Sequence, residues 1–150
     1  MKKQLAAGLT ALAAAALLAG CGGGTAQYAD GTYTGQSEVY ETVDEEEEGG
    51  NGYGVVEITI KDNAVTDCTF TTYEPDGTLK DENYGMEGGA VANRDYYNKA
   101  QKAVAACKEY AEQLVMSGNV DDIDAISGAT INYNEFKEAV KKALKDAEKK

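Results

Sequence analysis

Histidine is absent from the sequence. That removes the serine–histidine triad, histidine-ligated haem and the common histidine-bearing zinc sites. Cysteine occurs only at Cys21, Cys68 and Cys107, with no C-x-x-C spacing. One chain therefore cannot supply four thiolates to an iron–sulfur cluster. If the protein moves electrons, an organic cofactor carries them. Positive charge is scarce too, with 14 Lys and Arg against 26 Asp and Glu. Such a balance argues against nucleic acid or an anionic membrane surface as a direct partner, and suits a cationic partner or a neutral small acceptor.

No apolar run is long enough to cross a bilayer comfortably. Leu5 to Ala19 is almost all Ala and Leu, follows Lys2 and Lys3, and lacks a positive stop-transfer flank. It ends Leu18-Ala19-Gly20-Cys21, small residues ahead of a thiol, in the manner of a bacterial lipobox. Residues 1–20 read as a lipoprotein signal peptide, Cys21 as the acylated residue and 21–27 as a flexible tether. An ordinary signal peptide with an incidental cysteine is the alternative. The first reading puts the protein on the extracytoplasmic face of the cell membrane, held by lipid. Without Lys2 and Lys3 the balance is 12 against 26, a formal charge of −14. Residues 28–150 have the length of one domain with one core.

Thr32 to Tyr40, rich in Thr, Tyr and Val, follows an Asp-Gly turn and reads as a strand. The acidic run Asp44 to Glu48 reads as a solvated loop; a docking patch for a basic redox partner and a calcium-attracting loop are the sharper alternatives. Val56, Ile58 and Ile60 alternate with Glu57, Thr59 and Lys61, so Tyr53–Lys61 is a strand with one buried face. Asp62-Asn63 turns the chain, and Val65 to Tyr73 returns with Cys68 and Phe70 on one side. Pro75, the only proline, ends that strand in a Glu74–Gly77 turn.

Thr78 to Asn93 shows no period and is long enough to cover a ligand. Tyr84 within it either stacks on a flat ring or plugs the edge of the core. Asn93 caps a helix whose apolar stripe runs Tyr97, Ala100, Val104, Cys107, Ala111, Leu114 and which Ser117-Gly118-Asn119 stops. Cys68 and Cys107 face the core as two thiols or as a disulfide; free cysteine packs as a small hydrophobe, which favours the thiols. A last helix is expected to start near Asn132, with Glu135 completing a capping box and Phe136, Ala139, Val140, Ala143, Leu144 and Ala147 buried. The fold class is α+β: an antiparallel or mixed sheet packed on two main helices.

Ahead of that helix stands Asp124-Ala125-Ile126-Ser127-Gly128-Ala129-Thr130. A helix start offers unpaired N–H groups and partial positive charge to a phosphate. Gly128 and Ala129 clear side-chain bulk from the approach, and Thr130 supplies a hydroxyl. Asp124 could orient backbone amides. Ser-Gly-Ala-Thr alone is a weak signal and also serves as a plain helix entry.

That run, taken with Tyr28-Ala29-Asp30-Gly31-Thr32-Tyr33-Thr34-Gly35, resembles the FMN-binding domain family of covalently flavinylated respiratory subunits. Stretches 54–60, 73–81 and 95–101 are similar to the FMN-carrying lipoproteins of Gram-positive extracellular electron transfer. The resemblance implies that Thr130 is esterified by a flavin transferase using FAD and Mg²⁺, leaving FMN in phosphodiester linkage. Asp124, Ser127, Gly128 and Ala129 would be the recognition motif, and Tyr84 and Glu74 are candidates to touch the ring. It also implies a carrier with no catalytic residues of its own. A membrane NADH- or quinone-linked donor would load the carrier, and ferric iron or soluble flavin would unload it. Two departures stand: Asn132 where many members have Thr or Ser, and one domain where the lipoprotein has two. A non-redox binding lipoprotein and an accessory flavin domain of a reductase are the competing readings.

Overall fold

The computed structural model describes residues 26–43 and 50–150. Cys21, the expected signal peptide, the first part of the expected tether and the acidic run from Asp44 lie outside the described residues. Three strands, β1 (Gly31–Gln36), β2 (Tyr53–Lys61) and β3 (Ala64–Tyr73), precede the helices α1 (Arg94–Ser117) and α2 (Thr130–Ala147), with a short 3-10 turn at Val120–Asp122 between them. The sheet is antiparallel in the order β1-β2-β3. It is an α+β single domain, as its composition of elements suggests.

The β2–β3 hairpin follows from its alternation. Val56, Ile58 and Ile60 are at most 1% exposed, and Cys68, Phe70 and Thr72 share their buried face. Asp62 (φ 52°) and Asn63 (φ 65°) both take left-handed backbone, the conformation a two-residue turn of this kind needs. The helices cover that one face: α2 lies across β1 and β2, and α1 lies along β3. Phe136 anchors the centre, 4.9 Å from the Phe70 ring and 5.8 Å from that of Tyr110.

The first strand is shorter than its composition suggests. Ser37 ends it, because its hydroxyl accepts the Gly54 N–H at 2.9 Å where a strand carbonyl would otherwise do so. Tyr40 rejoins β2 only as an isolated bridge to Gly52. Helix α1 begins as its sequence indicates, Asn93 Oδ1 accepting the Tyr96 N–H at 3.0 Å, and ends on Gly118 in left-handed conformation. Cys68 and Cys107 are free and buried. Among the described residues no helix is long and apolar enough to cross a membrane.

Helix α2 corrects the expected capping box. It starts at Thr130, two residues earlier, behind Ala129, which offers no side-chain cap. Asn132 is buried in the first turn and donates to Ala103 O at 2.9 Å and Cys107 Sγ at 3.4 Å, tying α2 to α1. Glu135 is 4% exposed and lies under Gly54, so it does not reach back to the helix start.

Candidate functional site

The loop into α2 is braced from behind. Tyr110 is fully buried, its hydroxyl accepting the Ile126 N–H at 2.9 Å and donating to Ala129 O at 3.1 Å. One turn further along α1, the Gln113 side chain accepts the Asp124 N–H at 2.8 Å and donates to Asp124 O at 3.3 Å. Gly128 then turns through φ +84°, a conformation that favours glycine. Lys102 side-chain atoms lie 3.5 Å from where a Cβ would stand on it. Tyr133 is the first amide of α2 to find a helical acceptor, bonding Ala129 O at 3.0 Å. With no cap on Ala129, the earlier N–H groups of the turn remain for an anion.

Thr130 is exposed and Ala129 is 3% exposed. Both border a cavity of about 460 Å³, within the usual range for a small-molecule site. Gly128 to Asn132 form one side of it and Tyr96, Lys99, Ala100, Ala103 and Val104 of α1 another. Tyr40, Gly50, Thr72, Lys80 and Tyr84 close the remainder. Of the residues singled out from sequence, Thr130, Ala129, Gly128 and Tyr84 thus meet at one hollow. Ser127 and Asp124 lie exposed on the approach and do not line it. Glu74 is half-buried in the Pro75 turn, away from the lining, and acts there only through its charge on Lys80 and Tyr84.

Tyr84 is held by two devices. Gln101 Nε2 donates to Tyr84 O at 2.9 Å and to Asp81 O at 3.0 Å, pinning the long loop to α1. The Tyr84 hydroxyl accepts the Gly50 N–H at 3.3 Å, and burial pushes the phenol up to about 12. Lys80 Nζ lies 5.0 Å from the centre of the Tyr84 ring and donates to Gly50 O at 3.5 Å. Although the chain is strongly acidic, lysines 80 and 99 line this hollow and Lys102 stands beside Gly128. Apolar and aromatic walls, cations and an uncapped helix start suit a planar ring bearing a phosphate.

Sequence reasoning did not find Lys80, Tyr96, Lys99 or Lys102, and gave Glu135 only a capping role. Lys80 sits in a polar, aperiodic loop, where nothing announces that the side chain is 5% exposed. Lys99 and Lys102 had a signal. They fall three residues apart on the helix after Asn93, beside its apolar stripe.

Neither oxygen of the Glu135 carboxylate has a hydrogen-bond partner. Burial pushes its carboxyl up to about 7, with Lys80 pulling down and Glu138 pushing further up. The folded chain therefore holds this proton more tightly than the unfolded chain. Stability is full below the ordinary glutamate range and falls as pH rises through about 7, by up to ~3 kcal/mol. Glu135→Gln should flatten that fall. Urea midpoints of both proteins from pH 5 to 8 check it, and parallel curves would place its source elsewhere.

The fold and the hollow define a class: a small α+β domain with a cavity beside a helix start, of a size for a small planar ligand. The profile of the FMN-binding domain family matches residues 49–145, and the chain belongs to that family. A crystal structure of a Clostridium perfringens protein is similar, with a TM-score of 0.56 at 20% identity over 81% of this chain and 89% of that one. This likeness shows the shared fold. A solution structure of a Clostridium thermocellum protein aligns at 28% identity over 80% of this chain and 92% of that one, with a TM-score of 0.41. Among curated proteins none matches the chain. Family membership makes this a flavin-binding protein with FMN as its cofactor, and the residues bordering the hollow fit that molecule.

Proposed function

We propose that the protein is an electron carrier held by lipid on the extracytoplasmic face of the cell membrane, with FMN joined through a phosphodiester to Thr130. One observation carries the reading: an exposed hydroxyl at an uncapped helix start, opening on a hollow walled by tyrosines and lysines. In the proposed attachment, Thr130 Oγ forms a bond to the FMN phosphorus of FAD. The pyrophosphate bond breaks, AMP leaves, and the hydroxyl proton passes to the transferase or solvent.

Bound FMN supplies reversible one- and two-electron chemistry. The chain's own part is to hold it. The first turn of α2 and the neighbouring lysines stabilise phosphate charge, while Tyr84 and Tyr96 offer aromatic surface to the ring. A covalent bond suits a protein outside the cell, where released cofactor is lost to the medium. Residues 1–20 act in this reading as a removed signal peptide, Cys21 as the acylated first residue, and 28–150 as the flavin domain. The electron source is a membrane dehydrogenase or quinone pool, and the acceptor is ferric iron or soluble flavin.

The test is mass and colour. Protein co-expressed with a flavin transferase should be yellow and heavier by FMN less one water. Wild-type protein that never gains that mass, under conditions where a known substrate does, would end the covalent reading.

A further inference from the structure

Two charged side chains are buried beside the hollow: Lys80, 5% exposed, lines it, and Glu135, 4% exposed, lies one turn of α2 beyond the lining residue Asn132. Burying either alone is costly, and pairs like this survive where their charges balance. Here no ion pair joins them. The Lys80 ammonium turns to Gly50 O and the Tyr84 ring, while both Glu135 oxygens lack a hydrogen-bond partner. Each still feels the other's charge. A Cβ on Gly52 would stand 3.0 Å from Lys80 Nζ, and Gly54, two residues on, lies against Glu135; Lys80 lines the hollow and Glu135 does not.

Among the described residues, the other charged and titratable groups coupled to Glu135 or Lys80 come from three directions. Glu74 acts on Lys80 from the segment after β3, Cys107 comes from α1, and Glu138 comes from α2 itself. The nearest part of β2 is Gly54, which brings no charge; a Cβ there would stand 3.1 Å from Glu135 Cβ. Among the described residues Lys80 is thus the cation acting on Glu135, and together with Lys99 it lines the hollow.

We propose that Lys80 and Glu135 form a redox-linked proton site, in which Lys80 presents positive charge to the bound ring and Glu135 gains a proton when the ring is reduced. The proposal rests on the reading that FMN occupies this hollow. For every two electrons delivered by a donor, the ring takes one solvent proton and is left with one added negative charge. Glu135 takes a second solvent proton onto a carboxylate oxygen. Two electrons and two protons have then entered, and the charge of the buried region is unchanged. Reoxidation releases both protons with the electrons. Glu135 is a positioning residue for charge and does not line the hollow.

Two measurements test this. In cofactor-free protein, infrared spectra should show the carbonyl stretch of a buried carboxylic acid that is missing from Glu135→Gln. That band should titrate near pH 7. Titration in the ordinary glutamate range would overturn the proposal. In flavin-loaded protein, the midpoint potential is followed against pH by spectroelectrochemistry. Above pH 7 the wild type should lose reducibility tenfold more per pH unit than Glu135→Gln, about 30 mV for a two-electron couple. Equal slopes in two proteins that both carry flavin would overturn the proton site and leave the flavin reading intact. Wild type without flavin absorbance would remove both. Lys80→Met is the second variant: the Glu135 band in its cofactor-free form should titrate at higher pH, and an unchanged titration would overturn the pairing.

Discussion

Thr130→Ala, co-expressed with a flavin transferase, is expected to remain at the mass of the unmodified chain and to stay colourless. The substitution removes one hydroxyl from an exposed first-turn position and leaves Ala129, Gly128 and the cavity walls in place. Alanine is the better helix former, so stability should move by no more than ~0.5 kcal/mol. Loss of flavin therefore cannot be ascribed to unfolding, and circular dichroism with a urea midpoint confirms that in the same sample. Thr130→Ser keeps a hydroxyl at the same place and should retain attachment at reduced yield. Thr130→Ala protein that still gains FMN less one water would mean that another residue is esterified.

Gly35→Ala should disrupt the fold itself. The backbone of Gly35 is not left-handed, so the effect is purely one of space. A Cβ on this residue would stand 1.9 Å from Ala139 O and 2.8 Å from Ala143 N, both backbone atoms of α2. No rotamer change can relieve such a contact. Either β1 lifts from α2 or the helix shifts away from the sheet, and α2 carries the start where the site lies. The expected loss is about 4 kcal/mol or more, at the upper end for single substitutions and a large fraction of ordinary domain stability. Urea denaturation measures it, and a midpoint close to wild type would show that β1 does not bear on α2 as described.

The hairpin and the long helix were legible because their signals are local. Alternation at Val56, Ile58 and Ile60 fixes a face, Asp62-Asn63 fixes a turn, and Asn93 and Gly118 bracket α1. The start of α2 was misplaced for an instructive reason. Asn132 and Glu135 have the spacing of a capping pair, but both side chains are captured by neighbours in three dimensions, one by α1 and the other beneath β2. Tertiary packing overrode a local preference. The long loop after Pro75 hid the site's inner wall for the same reason. Tyr84 was legible as an aromatic that either stacks on a flat ring or plugs the core edge, whereas the burial of Lys80 depends on Gly50 and Thr72, which arrive from elsewhere in the chain.

The Tyr110 phenol has a consequence for the proposed attachment at Thr130. By gripping Ile126 and Ala129 at once, it fixes the shape of the segment before any partner arrives. In the proposed attachment, a transferase would thus encounter a preformed surface rather than a pliable peptide. Under that proposal maturation would be ordered in time, folding first and flavin second, and a short linear copy of the motif should be a poor acceptor.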